Sequence, residues 1–262
     1  VRQFVSAGSI ARRIWGDADM VLLIFAGSSA EFALNRAVDW LFFTGKLPAD
    51  PIGRLFSTAS YAKRIVFADR DTAARALDAI RAVHEAVERK RGAAIPDWAY
   101  RDVLYMLIDY SERAHELLAR PLTDAERDEL YDVFRRVGTG MRIPDLPPTY
   151  DAWRADRELH LRRDLVESGG TSELYARYRD HLGAWRYRLL LWIQSILVPD
   201  HVRDLLHLAR AEWLRPAVEM YGVVARVGLR PAVQQLLVPS QYLEDVRRLD
   251  HPGRARLEGL AG

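Results

Sequence analysis

The sequence predicts an all-α fold, built as one large multi-helix domain over residues 1–262. Three observations lead there. Apolar residues recur at spacings of three and four along most of the chain, the period of a helix with one buried face. Capping residues, glycines and prolines divide that pattern into segments of helical length. No stretch alternates apolar and polar residues as a strand does, and no repeat period is evident.

Ser9 opens a short first helix, residues 9–18, broken near Gly16 and Asp17. Residues 20–44, MVLLIFAGSSAEFALNRAVDWLFFT, are apolar on most sides, as a fully buried helix is. Gly27, Ser28, Ser29 and Ala30 form a small-residue patch in it that admits a neighbouring helix or a flat ligand. Pro48, Asp50 and Pro51 then act as a stop, and Pro51 suits the first turn of a helix over 52–67. Asp69, Arg70, Asp71 and Thr72 read as a turn and N-cap for a helix to about residue 91. Its apolar stripe is Ala73, Leu77, Ile80, Val83 and Val87.

A break at 92–97 precedes a helix over 98–119, with Val103, Leu107, Tyr110, Ala114 and Leu117 on one face. Asp109 interrupts its apolar surroundings, as a catalytic acid or as the partner of an arginine. Thr123 and Glu126 form a capping box that starts a helix to about 137, which Gly138, Thr139 and Gly140 end. Pro144, Pro147 and Pro148 mark an extended crossing loop. Thr149 or Asp151 begins a helix to about 167, and Ser168, Gly169 and Gly170 break it. Thr171 then caps a long helix to 198, whose second half, RLLLWIQSILV, has the look of a central or ligand-lining helix. Pro199 stops it. Two or three shorter helices follow to residue 250, punctuated by Pro216, Gly228, Pro231 and Pro239, and the last dozen residues read as frayed.

Composition narrows the function. The formal net charge of +2 calls for no nucleic-acid partner. Nearly all the basic charge is arginine, scattered among carboxylates; Lys46, Lys63 and Lys90 are the only lysines, as a G+C-rich bacterial genome would produce. With no cysteine there are no disulfides, no thiolate metal ligands and no cysteine nucleophile. The longest apolar runs fall short of the ~20 residues of a membrane span. The first residues lack the long apolar core of a secretory signal, so the expectation is a soluble, cytoplasmic protein of open oligomeric state. P-loop, GxGxxG, HExxH and GxSxG motifs are absent.

The stretch of greatest interest is residues 47–88. If its two helices fold back about residue 69, Arg54 and His84 are each fifteen residues from the bend. They then stand level, roughly 22 Å from it at 1.5 Å per residue. A histidine facing an arginine and the hydroxyls of Ser57 and Thr58 is either a cofactor slot between central helices or a core histidine bonded to a carbonyl. A di-iron bundle would need two Glu-x-x-His pairs. The chain offers Glu112 with His115 and a variant, Asp204 with His207, more simply read as solvent-facing salt-bridged helix. His160, His181, His201 and His251 have no evident partners.

Asp50, Pro51, Arg54, Leu55, Thr58, Tyr61 and Phe67 spell DP-xx-RL-xx-T-xx-Y-xxxxx-F, followed by a helix with His84 and Val87 as H-xx-V. This pattern resembles the rubber oxygenase (latex-clearing protein) and ER-bound oxygenase family, more loosely through the helix after Trp98 and residues 121–134. That family is mostly helical and binds haem b, and its characterised members cleave isoprenoid carbon–carbon double bonds with dioxygen. The resemblance implies that His84 is the proximal iron ligand and that Arg54 and Thr58 match the arginine and threonine beside the haem. Where rubber oxygenases carry a distal lysine, directly before the threonine, this chain has Ser57, a poor iron ligand. Glu31 and Asp39 are candidates for the family's catalytic carboxylate.

The expectation is a haem b oxygenase-like enzyme acting on a small hydrophobic, isoprenoid-type substrate with dioxygen or peroxide. Arg54 and Thr58 would be catalytic; His84, Arg54, Ser57 and Thr58 would contact the cofactor, with His84 on the metal. The alternative is a non-catalytic helical protein that holds a lipid or prenyl ligand without iron.

Overall fold

The computed structural model describes residues 2–43, 50–214, 216 and 238–250. Among them are eleven α-helices: α1 (Ile10–Trp15), α2 (Ala18–Leu34), α3 (Val38–Phe43), α4 (Pro51–Val66), α5 (Arg70–Arg91), α6 (Asp97–Leu118), α7 (Asp124–Gly140), α8 (Tyr150–Asp164), α9 (Gly169–Leu197), α10 (Asp200–Leu205) and α11 (Leu243–Asp250). The all-α expectation holds. The described residues contain no strand, only two isolated antiparallel bridges, Gln3 with Asp69 and Asn35 with Leu165.

Helix α2 is the axis of the bundle, packed most extensively against α6 and α9. Its sequence makes this possible, because nearly every face is apolar or small. Gly27 serves close packing: a Cβ there would fall 2.2 Å from the Tyr110 ring of α6. The small-residue patch thus admits a neighbouring side chain at this point. Trp15 plugs one end of the core, donating from Nε1 to Ser111 Oγ at 3.1 Å and meeting Phe25 edge-on at 6.2 Å.

The central hairpin forms as its signals dictate. Asp50 caps α4 by accepting from Gly53 N–H at 2.8 Å, with Pro51 in the first turn. Asp69 caps α5 by accepting from Thr72 N–H at 2.8 Å, and Gly92 closes it in the left-handed conformation. The Thr123–Glu126 capping box opens α7.

Three expectations need correction. The apolar run 20–44 is two helices, because Asn35 is extended and bridges Leu165; Val166 N–H donates to Leu34 O at 2.8 Å and Arg36 N–H to Asp164 O at 2.9 Å. These partners satisfy the helix-end groups that continuation would have satisfied. Helix α7 does not stop at Val137 but runs on through Gly138 to Gly140, with Met141 as its C-cap. Both glycines serve close packing there: a Cβ would meet Leu104 and Leu146 at Gly138, or Leu77 at Gly140, at 2.5–2.7 Å. Ser168, not Thr171, caps α9, with Thr171 completing its capping box. That helix is also interrupted at Gly183, whose φ of 73° suits glycine. The stop at Pro48, the helices expected over 217–237 with Gly228 and Pro231, and the end beyond residue 250 with His251 lie outside the described residues.

Candidate functional site

Across the α4–α5 hairpin Arg54 lies near enough to His84 for its charge to act on the imidazole. Beyond its first turns the apolar stripe of α5 loses its cover: Ala73 and Leu77 are buried, Ile80, His84 and Val87 half-buried, and Val83 is 54% exposed. His84 has a buried Nδ1 with no hydrogen-bond partner. The Tyr100 ring of α6 meets the imidazole edge-on at 5.3 Å. Glu88, one turn on, accepts from Ile95 N–H at 2.8 Å and from the Tyr100 hydroxyl at 3.3 Å. Burial lowers the pKa of His84, the Arg54 charge lowers it further, and Glu88 opposes both. Burial, with Glu88 beside it, raises that of Tyr100. The result is a neutral imidazole, the form that binds a metal.

Arg54 is exposed. Its carbonyl accepts from Ser57 Oγ at 2.8 Å and Thr58 Oγ1 at 3.0 Å, so both hydroxyl protons are committed to their own helix. What the two side chains present outward is oxygen lone pairs.

The other motif residues have structural duties as well. Asp50 accepts from the Tyr242 hydroxyl at 2.7 Å besides capping α4. Phe67 lies under the cations of Arg12 and Lys63, at 5.2 and 5.8 Å.

On the opposite side of α4 lies an apolar cavity of about 380 Å³. Ile52, Leu55, Phe56 and Ala59 of α4 line it with residues of α2 and α9. At about 100° per residue these four point away from Arg54, Ser57 and Thr58. The apolar half of α9 lines the cavity, as its sequence leads one to expect, and the break at Gly183 falls between Leu182 and Arg186 of the same wall. Among the described residues no histidine lines it.

The candidate carboxylates are bound up in ion pairs. Glu31 is gripped by both Nη atoms of Arg157 at 2.5 Å and accepts from the Tyr110 hydroxyl at 3.0 Å, deep in the core. Asp109 takes Arg157 at 3.0 Å and Arg113 at 2.8 Å, the arginine-partner alternative. Burial pushes Asp109 up, but the two arginines outweigh it and hold the carboxyl below its usual range. Asp39 pairs with Arg91 at 2.5 Å, the guanidinium lying 4.0 Å over Trp40.

The Glu112–His115 pair is buried, not solvent-facing. Glu112 is held by Arg127 at 2.5 Å and by the Tyr150 hydroxyl, while His115 Nδ1 has no partner. Asp204 and His207 are exposed, with His207 3.4 Å from Glu167.

Sequence reasoning missed the surroundings of His160. Asp156 and Asp164 lie four residues to either side of it on α8, a legible spacing; Asp102, on α6, could not be read from the chain.

A model of the family described as ER-bound oxygenase mpaB/B'/Rubber oxygenase, catalytic domain, matches residues 12–229. A comparison with curated proteins found no match.

Proposed function

The chain belongs to the ER-bound oxygenase mpaB/B'/rubber oxygenase catalytic-domain family, and from that membership we propose a haem b-dependent oxygenase-like enzyme acting on a hydrophobic, isoprenoid-type substrate with dioxygen or peroxide. The observation that carries the reading is the buried, unpartnered Nδ1 of His84. An imidazole held neutral by burial and by Arg54 is a competent iron ligand without further deprotonation. The half-covered stripe of Ile80, Val83 and Val87 offers apolar surface to a flat macrocycle. The residues present therefore fit the group.

His84 would hold the iron, and Arg54 would pair with a propionate. Ser57 and Thr58 would line the distal side as acceptors, since their protons go to the Arg54 carbonyl. The Ser57 hydroxyl, a weak ligand, would leave the iron open to dioxygen or peroxide. Bound there, haem b would supply the iron that activates dioxygen or peroxide; the helices would exclude water and place the substrate.

The cavity behind α4 favours a second reading, a helical protein that holds a lipid or prenyl ligand without iron, because the described residues of its wall are mostly apolar and include no histidine. An absorption spectrum separates the two. A Soret band in the protein as isolated, lost in His84→Ala, is expected. A colourless protein that takes up no added hemin but binds a prenyl alcohol would leave the second reading.

A further inference from the structure

A second group of ligating side chains lies where α2, α6 and α8 meet. Single donor atoms of Asp102, His160 and Asp164 all fall within 4.8 Å of one another, and the three residues are buried. His160 Nδ1 is hydrogen-bonded to Asp102 Oδ1 and stands 3.3 Å from Asp164 Oδ2. We propose that this cluster is a binding site for a divalent first-row transition ion, held by His160 Nδ1 and the carboxylates of Asp102 and Asp164. The inference is independent of the haem reading.

The argument starts from one nitrogen facing two anions. Nδ1 carries at most one proton, and a near-linear N–H can hand it to one oxygen only. The second carboxylate faces the same nitrogen and takes its hydrogen bonds from Arg163 instead. A cation at the focus would satisfy both oxygens and the nitrogen lone pair together.

The outer contacts are those that orient metal ligands. His160 Nε2 faces Asp156 Oδ2 at 3.6 Å, and that oxygen accepts from the Tyr105 hydroxyl at 2.6 Å. Asp102 Oδ2 accepts from Asn35 Nδ2 at 2.6 Å, and Ala37 N–H fixes the amide through Asn35 Oδ1 at 2.9 Å. Arg163 donates to both oxygens of Asp164, at 2.8 and 2.5 Å, and its Nη2 lies 3.4 Å from His160 Nδ1. Its side chain is half exposed and can turn to solvent when an ion enters. One nitrogen and two carboxylates, with no sulfur, suit Zn²⁺, Mn²⁺ or Fe²⁺, and three protein ligands leave room for water. His160 and Asp164 share a helix face by their spacing of four, so only Asp102 must be brought by the tertiary fold.

The test uses the full chain. Purified without chelator from medium containing zinc and manganese, it should carry about one equivalent of non-haem metal. Stripped protein should gain thermal stability from added Zn²⁺ or Mn²⁺ and develop visible d–d bands with Co²⁺. His160→Gln and Asp164→Asn should each abolish uptake, Asn35→Ala should weaken it about tenfold or more, and His84→Ala should leave it intact. Wild-type protein that takes up none of these ions overturns the proposal, as does an ion retained by both ligand variants. Should those variants fail to fold, the wild-type titration decides alone.

Discussion

Across the α4–α5 hairpin the charge of Arg54 adds to burial in holding the His84 imidazole below its ordinary pKa of 6.5. Between the lowered value and 6.5 the unfolded chain binds a proton that the folded chain refuses. The contribution of His84 to stability is therefore complete above pH 6.5 and is lost as the pH falls through the folded value. His115, lowered chiefly by burial, acts in the same direction.

Arg54→Gln should raise the pKa of His84 and leave that of His115 where it is. NMR titration of the two ring Cε1 protons in haem-free protein reads this directly. Urea denaturation at pH 8 and pH 5 should show the variant losing less stability on acidification than the wild type. An unmoved His84 titration would mean that the two groups are not coupled.

Ser57→Lys places here the side chain that rubber oxygenases carry before the threonine. If the distal position is open because of Ser57, a reconstituted variant should move towards a six-coordinate, low-spin spectrum. The shift should grow as the pH rises, since only the neutral amine ligates. Identical spectra for variant and wild type would place Ser57 away from the iron.

Ala59 faces the apolar cavity, on the side of α4 away from Thr58. Ala59→Phe should fill part of the 380 Å³ and reduce binding of a prenyl alcohol, measured by calorimetry. Haem binding should persist, at a stability cost of about 1–3 kcal/mol from overpacking. Loss of haem with intact folding would show that cavity and cofactor share one space.

Arg157→Met strands the Glu31 carboxylate in the core, where both residues are nearly inaccessible. Removing one partner of such a pair costs about 3–5 kcal/mol, whereas Glu31→Leu combined with Arg157→Met should recover much of it. Chemical denaturation of the single and double variants measures the difference. A single variant as stable as the wild type would deny the pair a structural role.

Gly27→Ala should destabilise by about 1–3 kcal/mol, because the new Cβ would sit 2.2 Å from the Tyr110 ring and α2 would have to shift. Thermal unfolding checks it, and an unchanged melting temperature would show that α2 and α6 separate at no cost.

The sequence by itself determined the helices, because helix formation is decided within a few residues. Asp50, Asp69 and Thr123 are capping residues whatever lies around them. The apolar spacings mark a packed side on each helix, Ala73 and Leu77 on α5 and Tyr110, Ala114 and Leu117 on α6, although Val83 and Val103 of the same stripes stand exposed. It also placed Arg54 and His84 at equal distances from the bend at residue 69, and in the structure the charge of Arg54 acts on the imidazole. The tertiary structure decided what each polar group meets. The break at Asn35 depends on Leu165, the helical run through Gly138 on Leu104 and Leu146, and the duty of Glu31 on Arg157. These partners lie from 8 to 130 residues apart, and a side chain's reach across the core carries no local signature. Asp102 beside His160 is the same case: four-residue spacing marks Asp156 and Asp164, but only the packing of α6 on α8 brings the third carboxylate to the ring.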